Sequence, residues 1–241
     1  MRLVFDIESD GYLEQMTKIH CIVAIDVDTG KVMKYRPSEI KEGLKYLQAA
    51  KVLIAHNGID FDIRAIKKIY PRWETDAYIY DTLIAAKIAY PDIKSRDFKK
   101  LRGVMNKDRS QRTPIESLRL QSIGKHSLKA YGLRLGLHKG TFGEDEGFET
   151  YSEDMLDYCL RDVEVNVKLF HRLEAENISQ DALDTEFRSQ EICLDQTAKG
   201  FNFDIDRANV LLEDLNTRKA ELSKLICDDL GGDFIMKMGV V

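Results

Sequence analysis

Asp6 and Glu8 stand two residues apart at the end of the apolar, β-branched run Arg2–Ile7. In a strand, residues at that spacing face the same side of the sheet. Two like charges so placed repel unless a cation sits between them, and hard oxygen donors of this kind suit Mg²⁺ or Mn²⁺. The spacing recurs at Asp162/Glu164 and Asp184/Glu186, so the apolar run beneath the first pair is what marks it. A second group, His56-Asn57-Gly58-Ile59-Asp60-Phe61-Asp62, directly follows the apolar run Val52–Ala55. Strand ends are where α/β proteins tend to gather functional side chains. Asn57 or Asp60 would serve equally as a cap. Asp62 precedes the helical spacing of Ile63, Ile66 and Ile69 and could point to the end of the sheet. The third group is Tyr158 and Asp162, one helical turn apart. Met155, Leu156, Cys159, Val163, Val167 and Phe170 define that helix's buried stripe, with Asp162 beside it. A carboxylate bordering a core needs a partner, and Arg161 projects about 100° away around the helix. Tyr158 by itself also fits a packed aromatic with its hydroxyl at the surface. Four carboxylates from three elements could converge on two cations. Two divalent ions about 4 Å apart stabilise the attacking and departing oxygens of phosphoryl transfer.

Three strands are expected first, over residues 2–7, 18–26 and 31–36, with Asp28-Thr29-Gly30 as a turn. Connections this short make neighbouring strands antiparallel. Ser38 is a candidate N-cap for a helix carrying Ile40, Leu44 and Leu47. A buried strand over 51–55 follows, then helices near 63–70 and 82–90. The pattern implies an α/β class with a mixed sheet flanked by helices. Residues 91–123 show little helical periodicity and crowd Lys94, Arg96, Lys99, Lys100, Arg102, Lys107, Arg109 and Arg112. Such a stretch reads either as a solvated loop or as a mobile arm that grips phosphates. Beyond it the spacing predicts a helix over 127–135, a glycine-rich acidic loop over 136–149, and a long helix capped by Ser152 that runs to about Glu174. Two more helices are expected near 181–198 and 206–230, with Gly200-Phe201-Asn202-Phe203 as a turn into a short extended piece.

The ordered motifs resemble one family closely. Asp6-x-Glu8, Asn57 with Phe61-Asp62, and Tyr158-x-x-x-Asp162 are similar to the DEDD 3′–5′ exonucleases of the tyrosine subtype. Thr17 to Cys21, Tyr35 to Ser38, His56-Asn57-Gly58, Asp81-Thr82-Leu83 and His126 to Gly136 extend the likeness, toward the proofreading domain of family A DNA polymerases from short-tailed bacteriophages. The resemblance implies a ribonuclease H-like fold over residues 1–178. Residues 179–241 would form a helical extension similar to the start of the polymerase module. It implies removal of nucleotides from DNA 3′ ends as 5′-monophosphates, with two divalent ions, Mg²⁺ or substituting Mn²⁺, as cofactors. Asp6, Glu8 and Asp162 would hold the first ion, with Asp6 bridging to a second supported by Asp62, and Tyr158 would orient the attacking water. His56 and Asn57 are candidates to contact the terminal nucleotide or to brace the site, Phe61 is a candidate substrate contact, His126 is a candidate phosphate contact or structural cap, and Arg102 and Arg109 are candidates for gripping the strand. Asp81 would support the site from behind or cap a helix. The expected partners are single-stranded DNA or a frayed primer 3′ end, and a polymerase module or replisome protein acting in trans. No polymerase motif is found in the chain, so polymerisation is not expected of it. An RNA-processing exonuclease would use the same carboxylates, because selectivity depends on contacts around the 2′-position. A non-catalytic nucleic-acid or replisome docking module is the reading from another class.

Composition narrows these choices. The 241 residues are 44% hydrophobic and 32% charged, with 36 basic against 41 acidic side chains and a net charge of −5. That is neither a disordered nor a membrane-spanning composition, and no apolar run reaches the roughly 18 residues of a membrane helix. The acidic balance excludes a surface coated all over with nucleic acid, though not a local basic groove. Asp6 falls where an export signal needs apolar residues, so no such signal is expected, and the site of action would be the cytoplasm, of the host cell for a phage protein. Cys21, Cys159, Cys193 and Cys227 lack zinc-ligand spacing and read as reduced thiols.

Overall fold

In the computed structural model, which describes residues 1–137 and 149–230, the sheet is built outward from the first strand. β1 (Arg2–Ser9), β2 (Ile19–Asp26) and β3 (Val32–Tyr35) form the expected antiparallel meander. Gly30, at φ +73°, closes the β2–β3 turn by donating its N–H to the Asp26 carbonyl at 2.7 Å, a left-handed conformation that glycine adopts without a Cβ penalty. A single 3₁₀ turn, Pro37–Glu39, leads into α1 (Ile40–Gln48). Ser38 therefore lies inside that turn and does not cap α1; Glu39 instead reaches back to the Arg36 N–H at 2.9 Å. β4 (Val52–Ala55), α2 (Asp62–Ile69), β5 (Tyr78–Asp81) and α3 (Thr82–Ala89) follow, and β4 pairs parallel with both β1 and β5. The strand order is β3-β2-β1-β4-β5, with β1 at the centre.

Residues 91–123 fold differently from the expectation of an aperiodic arm. They form α4 (Ile93–Met105), a 3₁₀ turn at Arg109–Gln111, and α5 (Pro114–Gln121). The sequence hides these helices because they bury so little: only Ile93 and Asp97 of α4 are inaccessible, and no residue of α5 is. A weakly buried helix needs no continuous apolar stripe. Thr113 and Glu116 instead form a reciprocal capping box at the start of α5. α6 (Leu128–Leu135) ends on Gly136 in the left-handed conformation. α7 (Glu153–Glu174) is capped by the Ser152 side chain, which accepts the Met155 N–H at 3.1 Å. α8 (Gln180–Lys199) and α9 (Ile205–Leu230) complete the described chain. The acidic loop expected over 136–149 falls largely outside the described residues.

Alternation along β1 divides the core. Leu3, Phe5 and Ile7 face α1 and α2 with Ile22, Leu44, Leu47 and Ile66. Val4 faces α7 with Cys21, Val23, Met155, Leu156, Cys159 and Val163. A third cluster joins α3 and α6 to α7 and α8 through Ala85, Tyr131, Leu169, Leu183 and Phe187. The result is helices on both faces of one mixed sheet. Each fully buried side chain of Leu, Ile or Phe size contributes about 1.5–3 kcal/mol. The first compact unit runs Met1–Asp195, so it includes most of α8, and Gln196–Val241 forms a second. In that second unit, Val210, Leu211, Leu215, Leu222 and Leu225 of α9 are exposed. Among the described residues no helix is long and apolar enough to cross a membrane.

Candidate active site

The parallel strands β1, β4 and β5 all deliver their carboxyl ends to one edge of the sheet. β1 ends in Asp6 and Glu8, whose side chains continue the face begun by Val4 and so look toward α7. The ladder shifts register between Glu8 and Ser9, ending regular pairing where the acidic pair is presented. The loop after β1 is fastened by Asp10, which accepts the backbone N–H groups of Thr17 at 2.8 Å and Lys18 at 3.1 Å as well as the Thr17 hydroxyl. Burial is the largest single influence and pushes the Asp10 carboxyl up, but those bonds together outweigh it and bring it down to about 2. Lys68 of α2 ties the same loop by donating to the Leu13 and Glu14 carbonyls at 2.6 and 2.8 Å.

β4 ends in the turn from His56 to Phe61. Asn57 sits there at φ +67°, a conformation that Asn tolerates better than most residues. Asp81, at the end of β5, organises this turn. Its carboxylate accepts the N–H groups of Asn57 (3.1 Å) and Ile59 (3.2 Å), and also those of Leu83 (2.9 Å) and Ile84 (3.3 Å) at the start of α3. Asp81 is thus both the α3 cap and the clamp that sets where α2 begins. Burial raises its pKa overall, against the pull of the four backbone donors.

Asp62, the first residue of α2, is 2% exposed. Its carboxyl meets the Asp6 side chain and the backbone of Ile7, and its Oδ1 is buried without a hydrogen-bond partner. Burial, reinforced by the nearby Asp81 charge, pushes Asp62 up to about 7. From the other side α7 supplies Tyr158 and Asp162, the latter 7% exposed. Burial and the charges of Asp162, Glu8 and Asp6 all raise the Tyr158 phenol, so it keeps its proton throughout the neutral range. The structure therefore brings together all five residues: Asp6 touches Asp62, and Tyr158 lies in the combined field of Asp162, Glu8 and Asp6. This donor set fits divalent cations. Four carboxylates gathered at a buried edge repel one another, and buried oxygens of Asp62 and Asp162 (Oδ1 of each) accept no hydrogen bond, which is the deficit a cation removes.

Beside the acids, a cleft of about 530 Å³ is lined by Ile7, Glu8, Ser9, Gly11, Tyr12, Asn57 and Phe61. Asn57 and Phe61 thus line the same cleft as Glu8. Ser9, Gly11 and the 79%-exposed Tyr12 were not legible beforehand, since nothing in their spacing shows that the loop folds back over β1. The other candidates are placed differently. His56 turns inward: its Nδ1 lies 3.0 Å from the Thr82 hydroxyl, which donates to Asn166 Oδ1 at 2.6 Å, so His56 braces β4 against α3 and α7. His126 Nδ1 lies 2.9 Å from the Tyr131 hydroxyl. Burial and the Arg134 and Lys87 charges depress its pKa, which disfavours the charged form suited to a phosphate. Arg102 lies on α4 and Arg109 in the following 3₁₀ turn, both exposed. Cys159 was missed as a neighbour of the acids. It sits on the buried stripe of α7, with its Sγ 3.9 Å from Asp6 Oδ2.

The mixed five-stranded sheet, its centre on the first strand and helices on both faces, defines a ribonuclease H-like α/β fold. A solved structure described as the apo form of a nuclease shares that fold, with TM-score 0.50 and 16% identity over 99% of this chain and 90% of that one. Escherichia coli RNase D, an exoribonuclease involved in structured RNA processing, overlaps more loosely, at TM-score 0.43 and 15% identity over 80% of this chain and 44% of that one. No family model matches the chain. In sequence the chain is homologous to the DNA-directed DNA polymerases of Escherichia phage T7 and Enterobacteria phage T3. It is 27% identical to each over a 281-residue alignment that covers 98% of this chain. The chain spans 38% of the length of those curated relatives.

Proposed function

We propose that the chain is a two-metal 3′–5′ exonuclease that hydrolyses DNA from its 3′ end to 5′-mononucleotides, and that it proofreads in phage DNA replication in the host cytoplasm. The observation that carries this reading is the convergence of Asp6, Glu8, Asp62, Tyr158 and Asp162 at one sheet edge beside an open cleft. Homology to two phage DNA polymerases supports DNA as the substrate, and the motifs match the exonuclease part of such enzymes. Asp6, Glu8, Asp62 and Asp162 are the residues that would hold the divalent ions. When bound, such ions make water a usable nucleophile at neutral pH and neutralise charge on the scissile phosphate.

The chain's own groups do the rest. Tyr158, protonated and facing the acids, donates a hydrogen bond that orients the attacking water and takes no proton from it. Phe61 and Tyr12 offer aromatic faces on which the terminal base can stack, worth about 1–3 kcal/mol per base. Asn57 offers its amide to the same nucleotide. Arg102 and Arg109 steer the incoming strand by its phosphates. An unpaired end is preferred because it need not be melted to enter the cleft. A polymerase module, in the same polypeptide or in trans, supplies the primer ends.

The test is degradation of a 5′-labelled primer with a 3′ mismatch. Wild type with Mg²⁺ yields a ladder shortening from the 3′ end, lost with EDTA and in the Asp6→Ala/Glu8→Ala variant. A folded, metal-supplied protein that leaves the DNA uncut overturns the reading, and a matched RNA oligonucleotide run in parallel reports selectivity.

A further inference from the structure

Thr82, wholly buried at the start of α3, joins two other elements through a single hydroxyl. Its Oγ1 lies 2.6 Å from Asn166 Oδ1 on α7 and 3.0 Å from His56 Nδ1 just after β4. The Ala55 carbonyl oxygen is farther off, at 3.3 Å. A hydroxyl has one hydrogen to donate and lone pairs with which to accept. The Asn166 and Ala55 oxygens can only accept, and the shorter contact takes the hydrogen. His56 Nδ1 must then be the donor to Thr82. The chain therefore runs one way, from His56 Nδ1–H to Thr82 Oγ1–H to Asn166 Oδ1. Bonds linked in series inside a dry interior strengthen one another.

Each member adjoins a part of the chain that presents an acid. His56 opens the turn that leads to Asp62. Thr82 follows Asp81, whose carboxylate fastens that turn through the Asn57 and Ile59 N–H groups. Asn166, 2% exposed, lies one helical turn beyond Asp162 and two beyond Tyr158, on the same face of α7. Apolar packing is non-directional and leaves a helix some freedom to turn about its axis, whereas a hydrogen bond fixes an angle. We propose that Thr82 is a positioning residue for cleavage: its hydroxyl passes a fixed hydrogen-bond direction from His56 to Asn166, and so sets the rotation of α7 that aims Tyr158 and Asp162 at the acids of β1 and α2. The direction of the chain stands on this geometry; the effect on cleavage rests on the nuclease reading.

The first readout needs only wild type, so it decides even where a variant fails to fold. Ring-nitrogen correlations in the nitrogen-15-labelled full chain at pH 8 are expected to show the proton of His56 on Nδ1, with the signal assigned by its loss in His56→Gln. A ring protonated on Nε2 with a bare Nδ1 reverses the chain and overturns the proposal. The Nδ1–H form should persist in Thr82→Ser and give way in Thr82→Val, which keeps the shape of the side chain and loses the hydroxyl. The second readout is cleavage of the mismatched primer with Mg²⁺, well below each variant's Tm. Thr82→Val is expected to lose on the order of 10²-fold in kcat with KM little changed, and Thr82→Ser to recover most of it. A hydroxyl that served stability alone would lower Tm and leave kcat untouched, which overturns the positioning role. Combined with Tyr158→Phe, the loss should fall short of the product of the two single losses, because both act through the same face of α7. A full product overturns the role as well. A wild type that cuts no DNA refutes the nuclease reading and the positioning role with it, while the ring signal still decides the direction of the chain.

Discussion

At the scale of single residues, Asp62 concentrates the conflict between folding and activity. Its folded form binds a proton more tightly than the unfolded chain does, because burial disfavours the charge. Stability therefore falls as pH rises from about 4 to about 7. Asp62→Asn is expected to abolish cleavage while stabilising the metal-free protein at pH 8 by about 1 kcal/mol or more, some 2–4 °C in Tm. Adding Mg²⁺ raises the melting temperature of wild type more than that of the variant, which loses a carboxylate of the second ion but keeps Asp6, Glu8 and Asp162; thermal melts with and without EDTA would show the difference. Tyr158→Phe keeps the packing and loses only the hydroxyl; kcat should drop on the order of 10²-fold with KM little changed, as for lost positioning. The acids were legible because charge beside an apolar run is improbable without a purpose: Asp6 and Glu8 by strand alternation, Asp162 by helical phase. The inward turn of His56 was not. It depends on Thr82 and Asn166, which lie 26 and 84 residues away along the chain from their partners.

Elements carry the precision. The turn between β4 and α2 leaves no room at Gly58, where an added Cβ would collide with the Ala55 side chain. Gly58→Ala must displace either strand end or helix start, and overpacking of this kind costs about 1–3 kcal/mol. The expected outcome is reduced cleavage beyond what the stability loss explains, read from activity well below the variant's Tm. A different device fixes α4 and α6. Arg134 meets Asp97 at 2.6 Å, and their side chains are only 16% and 9% exposed. Burial opposes ionisation of Asp97, but the Arg134 bond and the Gly124 N–H carry its pKa below the ordinary value. A depressed carboxylate stabilises the fold above its unfolded pKa and loses that contribution as pH falls through the folded one. Asp97→Asn should therefore melt earlier than wild type at pH 7, with the gap narrowing under acid below the ordinary carboxylate range. The same pair explains why this region was unreadable: α4 is anchored by a buried ion pair and one isoleucine, which leaves no periodic apolar signal. β5 escaped for the opposite reason, since four residues at a sheet edge are too few to display alternation.

For the molecule as a whole, the two units should differ in how firmly they hold their backbone hydrogen bonds. β2 is buried at every position, whereas α9 exposes apolar side chains along its length. Hydrogen exchange should find the α9 amides open orders of magnitude sooner than those of β1 and β2, because local opening there exposes little new apolar surface. Equal protection in the two would contradict this. The strand order has a consequence for synthesis. A ribosome releases β1 before its parallel neighbour β4, which begins at Val52, and long before the last acidic residue of the site, Asp162. A nascent polypeptide therefore carries Asp6 and Glu8 on the β1–β2 pair well before α7 brings Asp162 to them. On the proposed nuclease reading it becomes able to cut DNA only once α7 has emerged and docked, so a transcript cut short before Tyr158 should yield a chain that is harmless to the DNA around it.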